Sequence, residues 1–324
     1  MSGGHWNVSD RSLVVSGYDN TSGLWSVSRS GWLLFAAMGL IWGIPYLLIK
    51  VAVAEISPAT LVFLRTAIAA LVLVPLAATR GELRPLWPHW KAILVYTLVE
   101  VAIPWFLLSD AERRLSSSLS GLLVATVPLI GMLLAQFTGA EDRLDPRRGL
   151  GMAVGFFGVA ALLGLDLSLV DSGAVVEVLC VTLCYAVGPM IIARRLSRVP
   201  SVGVVAASLV LTAAVYAPVA WLQRPPELPS LNALIAILVL GSACTALAFV
   251  LFFALIAEIG PVRSQMITYV NPAVALVLGV TLLGEPFTLG DAVGFTLILA
   301  GLLLVTRRDR RTHPTPAEPA RVAV

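Results

Sequence analysis

Residues 91–109 read KAILVYTLVEVAIPWFLLS. At about 1.5 Å per residue, a helix of this length crosses most of the roughly 30 Å hydrocarbon core of a bilayer. Past Lys91 at its edge the stretch carries one charge, Glu100, near its middle. A carboxylate at that depth costs roughly 2.5–3.5 kcal/mol on insertion scales, so Glu100 must be paired or used. The rest of the chain decides that the stretch lies in a membrane. Apolar residues make up 58% of the 324 and charged residues 13%, with mean hydropathy +0.90. A soluble domain carries about 25% charged residues, and this chain cannot cover itself with a polar surface.

Working outward, apolar stretches long enough to span recur at 31–49, 58–78, 91–109, 118–138, 149–165, 173–193, 202–222, 232–256, 264–283 and 290–306. Backbone polar groups in lipid are satisfied only within each segment, so these are helices. The expected fold is an all-α integral membrane protein with ten transmembrane helices. Residues 1–30 are polar and rich in Ser and Gly, without the apolar core of a signal peptide. They read as a disordered cytoplasmic tail, or as the product of a misplaced start codon. Residues 307–324 form a basic tail whose RRDRR run (Arg307–Arg311) suits a stop-transfer anchor better than nucleic-acid binding.

Orientation follows from Lys and Arg. With the N-terminus inside and Arg65 set aside within a span, the inner segments hold seventeen and the outer loops four: Lys50, Arg113, Arg114 and Arg224. Both termini are then cytoplasmic by the positive-inside rule. Twenty Arg against two Lys fits a GC-rich prokaryote and so a bacterial cytoplasmic membrane. Cys180, Cys184 and Cys244 fall in apolar runs and read as small buried hydrophobes. His5, His89 and His313 lie outside the spans, nothing has metal-ligand spacing, and no GxxxxGK[ST] loop serves ATP. No cofactor, metal or nucleic acid is expected.

The chain repeats itself. Shifted by 144 residues, Pro45 falls on Pro189, Lys50 on Arg194, Pro128 on Pro272 and Glu141 on Glu285. After a one-residue slip, Gly151 and Gly158 fall on Gly294 and Gly301. The halves are 31–165 and 173–306, and five spans in each force the second to insert upside down. Inverted repeats suit alternating access, and paired helix interruptions point to a central site. Proline removes a backbone hydrogen bond and clashes with the preceding turn, so kinks are expected at Pro45, Pro128, Pro189 and Pro272.

The stretches WGIPYLLIKVAVAEISPATLVFLRTAIAALVLVPLA (Trp42–Ala77) and LLGEPFTLGDAVGFTLILAGLLLV (Leu282–Val305) resemble the EamA domains of the drug/metabolite transporter superfamily. The markers are Trp42-Gly43, Lys50, Ser57-Pro58 and Arg65 in the first half, with Gly284-Glu285, Gly294 and Gly301 in the second. Ala140-Glu141 departs from the Gly-Glu pattern. The resemblance, over about 31–306, implies a ten-helix exporter with a central cavity for amino acids, other metabolites or drugs. It assigns no role to Glu100.

By depth, Arg65 and Glu100 differ by only about 4 Å at the helical rise, so an Arg65–Glu100 pair is allowed. Three readings stay open: a structural ion pair, contacts to the two ends of a zwitterionic substrate, or a proton carried by Glu100. Arginine beside a carboxylate keeps it ionised and works against the last. Trp42, Tyr46, Trp105, Tyr185 and Tyr269, with Asn271, Gln265, Gln136 and Thr268, either line a weakly polar chamber or pack and anchor the helices. Gly151/Gly155 and Gly290/Gly294 have GxxxG spacing, for packing within the chain or in a homo-oligomer. Glu141 and Glu285 read as helix-terminal. The expected partners are a small-molecule substrate, the lipid bilayer and, for coupling, protons. The competing class is an intramembrane enzyme such as a lipid-modifying transferase, built on Ser109, Asp110, Glu112 and Arg113; lacking a histidine, it is the weaker reading.

Overall fold

The computed structural model describes residues 28–137, 146–164 and 171–306. The expectations for the two tails and for Glu141 fall outside the described residues, apart from the tail's last residues from 28 onward. The helices are α1 (Arg29–Val53), α2 (Pro58–Thr79), α3 (Trp90–Tyr96), α4 (Ile103–Ala111), α5 (Ser117–Val124), α6 (Val127–Phe137) and α7 (Pro146–Leu163). They continue as α8 (Ser172–Ile191), α9 (Ser201–Leu222), α10 (Leu231–Gly241), α11 (Ala248–Ile259), α12 (Pro261–Ser264), α13 (Asn271–Leu282) and α14 (Leu289–Thr306). Wider π-helical turns join α3 to α4 (Thr97–Ala102) and α10 to α11 (Ser242–Leu247), and another ends α8 (Ile192–Leu196). Among the described residues eight helical stretches are long and apolar enough to cross a membrane, and Leu289–Val305 is a shorter apolar helix.

Side chains set where helices begin. Ser57 Oγ accepts from the Thr60 N–H, with Pro58 at the first turn of α2, where its missing N–H costs nothing. Ser116 caps α5, Asp171 caps α8 and Ser230 caps α10 in the same way. Other carboxylates reach across to a neighbouring helix start, where unpaired N–H groups favour negative charge. Glu82 accepts from Gly203 N at 2.9 Å, and Glu55 from Ser230 N at 2.6 Å. Leu71, Phe157 and Leu222 lie exposed on the bundle, the expected face toward lipid tails.

Pro128 and Pro272 sit at the start of α6 and α13, where each span breaks into two helical pieces. Pro45 lies inside α1, and Pro189 lies inside α8 just before its terminal π turn. Of the cysteines, only Cys244 is buried; Cys180 is exposed and Cys184 intermediate. An apolar run fixes apolar surroundings, but not whether they are protein or lipid, and that corrects the expectation for Cys180.

The GxxxG spacing serves contacts inside one chain. α7 and α14 pack backbone to backbone: a Cβ on Gly151 would lie 2.8 Å from the Gly301 carbonyl, and one on Gly158 would lie 2.9 Å from that of Gly294. The reverse contacts hold too, since a Cβ on Gly301 would stand 2.5 Å from Gly151 O and 2.6 Å from Gly155 N. Backbone cannot swing aside as a side-chain tip can. Gly301→Val is therefore expected to part the two helices and cost about 1–3 kcal/mol, read as a lower melting temperature and loss of the monodisperse peak in detergent. Gly149→Val, where nothing lies within 4 Å, serves as the control and should melt as wild type does.

Candidate functional site

Glu100 lies in the π turn Thr97–Ala102. Pro104 has no N–H to offer the carbonyl four residues back, so the regular ladder fails here, and the Tyr216 hydroxyl donates to the Ala102 carbonyl at 3.0 Å. Isolated π turns mark functional segments often enough to direct attention. The carboxylate faces α8 at Gly188, so closely that a Cβ there would overlap Oε2 at 1.7 Å. Oε2 is buried without a hydrogen-bond partner. Tyr96, Cys184 and Tyr185 are within electrostatic reach of it.

Arg65 is not that partner. Its side chain is buried, 9% exposed, and no ion pair joins it to Glu100 among the described residues. Instead Nε donates to Thr245 Oγ1 at 2.9 Å, and the guanidinium lies 3.8 Å above the centre of the Trp105 ring, an orientation favoured by the ring quadrupole. Thr245, in the π turn Ser242–Leu247, donates in turn through Oγ1 to the Leu240 carbonyl of α10 at 2.7 Å. Depth along two helices sets height but not direction around each axis. A π turn inserts a residue and shifts the facing of everything beyond it by roughly a quarter turn, leaving Glu100 toward α8 and Trp105 over Arg65.

The other expected chamber residues divide. Tyr185 stands beside Trp105 and feels both Arg65 and Glu100. Tyr46 is buried against α5 at Gly121 and within reach of Arg65. Trp42 packs on Phe252 and Phe249, with ring centres 4.7 and 6.0 Å away. Asn271, with its amide nitrogen turned toward α1, donates to the Gly39 carbonyl at 3.1 Å and the Ile267 carbonyl at 3.0 Å, tying α1 to the break before α13. Tyr269 packs at the edge of the largest apolar cluster, and Thr268 bonds back to the Gln265 carbonyl.

A second polar cluster closes one end of the bundle. Lys50 Nζ donates to the Glu112 carbonyl at 2.6 Å, at the C-terminal cap of α4, and to the Leu115 carbonyl at 2.7 Å, in the turn before α5. Gly284, at φ 66°, makes the turn that sends Glu285 onto the start of α5. There it accepts from Ser117 N at 2.6 Å and Ser118 N at 2.9 Å, so Glu285 is helix-terminal as expected. α5 packs on α1 and α13 at this end; α6 packs instead on α8, and among the described residues α6 and the Gln265–Tyr269 turn do not pack on one another as α5 and α13 do. The four enzyme candidates diverge: Ser109 donates to the Trp105 carbonyl, Asp110 pairs with Arg113 and Arg114, and Glu112 turns inward. That inward turn was legible, because Trp105, Leu108, Ser109 and Glu112 share one helical face, yet the loop charges beside it masked the pattern.

Residues 29–164 and 173–307 each match the EamA-like transporter family. The chain is 28% identical over 277 residues to the uncharacterized inner membrane transporter YedA of Escherichia coli (strain K12), covering 83% of this chain and 88% of that protein. It is 25% identical over 286 residues to the uncharacterized transporter YvbV of Bacillus subtilis, covering 86% and 92%. One solved crystal structure superposes with a TM-score of 0.63 at 25% identity, over 87% of this chain and 98% of that one.

Proposed function

This chain belongs to the EamA-like transporter family, and from that premise we propose that it exports small zwitterionic metabolites, amino acids or close relatives, by alternating access. The observation that carries the substrate class is Arg65. A guanidinium deep in an apolar bundle has, among the described residues, one hydrogen bond through Nε and a ring face, and no carboxylate. The residue keeps 9% of its surface exposed, and its terminal nitrogens make no hydrogen bond among the described residues. Arginine's fork matches a carboxylate with two parallel bonds. Trp105 lies against that fork, Tyr185 is within electrostatic reach of both Arg65 and Glu100, and Glu100 suits the substrate ammonium.

Several features support two inverted halves and ten spans. The reciprocal contacts of Gly151 with Gly301 and of Gly158 with Gly294 are what a two-fold axis between α7 and α14 produces. A shift of 145 residues carries one π turn, Thr97–Ala102, onto the other, Ser242–Leu247. The basic residues put the Lys50 and Glu285 end outside, so this conformation is closed to the exterior and loose toward the cytoplasm. Arg194, the counterpart of Lys50, is exposed, as the less closed end requires.

The test is counterflow of a labelled amino-acid panel in proteoliposomes with the full chain, with and without a pH gradient. Saturable exchange of at least one amino acid is expected. A panel that stays still while apolar cations exchange sinks the zwitterion reading and leaves transport in place.

A further inference from the structure

Glu112 takes no part in the substrate reading above. It follows the last residue of α4, its side chain is 0% exposed, and both carboxylate oxygens are buried without a hydrogen-bond partner. Four of the five such orphaned atoms among the described residues lie at this end: these two, Ser117 Oγ and Ser120 Oγ. Lys50, the nearest cation, spends two of its hydrogens on the carbonyls of Glu112 and Leu115 and none on the carboxylate. An ionised carboxylate sealed in this way lacks the hydrogen bonds that would offset its desolvation.

We propose that Glu112 is a proton-binding site, and that closure of the Lys50–Glu285 end requires a proton on its carboxyl. The groups that face it are Lys50 and Tyr46 from α1, Arg65 from α2 and Glu285 from the turn before α14. From its own element, Asp110 and Arg113 pair with each other, and Arg114 is held by Asp110 and by Asp171 and Glu177 of α8. Burial pushes the Glu112 carboxyl well above the ordinary carboxylate range; Lys50 opposes this, Glu285 adds to it, and Arg65 opposes it. Opening this end admits water and returns the carboxyl toward its ordinary value near 4.3.

The sign then follows. The closed state holds one proton more than the open state between the ordinary and the raised value, so acid favours closure and rising pH favours opening. One proton shifts the open-to-closed ratio by at most about tenfold per pH unit in that window. Neutral glutamine imitates the protonated carboxyl and removes the dependence.

The experiment measures distances by double electron–electron resonance between spin labels at Ala54 and Arg113, on either side of the Lys50–Glu112 contact. It uses the full chain in lipid with Cys180, Cys184 and Cys244 replaced by alanine. From about pH 5 to about pH 9 the longer distance is expected to gain population by up to about tenfold per unit. Glu112→Gln should keep the short distance throughout, and Glu112→Asp should respond with a displaced midpoint. Wild-type distances that ignore pH overturn the proposal, as does a Glu112→Gln protein with the wild-type response. Distances that follow sodium instead of pH also overturn it, in favour of a metal cation. Should Glu112→Gln not fold, the wild-type titration still decides, with infrared difference spectra showing whether a protonated carboxyl is lost as the end opens. The proposal rests on alternating access, tested separately by counterflow. Exchange with pH-silent distances sinks the proton site alone, and pH-driven distances without amino-acid exchange sink only the substrate reading.

Discussion

Arg65→Leu in proteoliposomes is expected to lower amino-acid counterflow by about a hundredfold or more. The wild-type guanidinium offers a bound carboxylate two charge-assisted hydrogen bonds, each worth about 1.5–3 kcal/mol. Tenfold in affinity takes about 1.4 kcal/mol, so loss of one such bond and part of the second already reaches a hundredfold. Arg65→Lys keeps the charge but neither the fork nor the flat face that lies 3.8 Å over Trp105. It should retain exchange with a half-saturation raised by about tenfold. Thr245→Val removes the acceptor of Nε and frees the guanidinium to tilt, an intermediate loss. The ranking separates substrate contact from scaffolding: a scaffold arginine lowers the amount of folded protein, whereas a substrate-binding one alters half-saturation in protein that still elutes as a single peak. Wild-type exchange by Arg65→Leu would remove the carboxylate from the reading.

The spans were legible because hydropathy and capping act locally. Residues 58–78 become Pro58–Thr79 and residues 202–222 become Ser201–Leu222, the first fixed by the Ser57 cap and Pro58. Hydropathy reports height across a bilayer and carries nothing about direction around a helix axis. The Arg65–Glu100 pairing therefore failed on facing while the heights were reasonable. The π turns were partly signalled by Pro104 and Pro189, which withhold a backbone donor. Ser242–Leu247 contains no proline; the Ser242 and Thr245 hydroxyls bond back to the Leu238 and Leu240 carbonyls, and such back-bonds occur in regular helices too, so they did not announce the wider turn. The glycines fell the other way: spacing announced close approach, and only coordinates could show that α7 meets α14 of the same chain. Asn271 read as chamber lining, yet its donors turn to Gly39 and Ile267, because a broken helix leaves carbonyls that an amide can satisfy.

Gly188→Ala tests whether the place of Glu100, rather than its charge, matters. The new methyl would overlap Glu100 Oε2 at 1.7 Å and Cδ at 2.7 Å, and stand 3.2 Å from Cβ. The first two atoms belong to the movable end of a flexible side chain, so the carboxylate swings away and α8 shifts little. Only the Cβ contact resists, and the expected cost in stability is about 1 kcal/mol, at the low end of overpacking. The carboxylate itself moves by an ångström or more, and misplacement on that scale degrades a positioned group by up to about a hundredfold. Exchange is therefore expected to fall by about ten- to a hundredfold while the melting temperature drops only a few degrees. Glu100→Asp shortens the side chain by one methylene and clears the methyl, so Gly188→Ala/Glu100→Asp should exchange better than Gly188→Ala alone. That reversal is a coupling which two independent lesions cannot produce. If Gly188→Ala exchanges at the wild-type rate, the seat of Glu100 against α8 is packing, and the ammonium of the substrate must be met elsewhere.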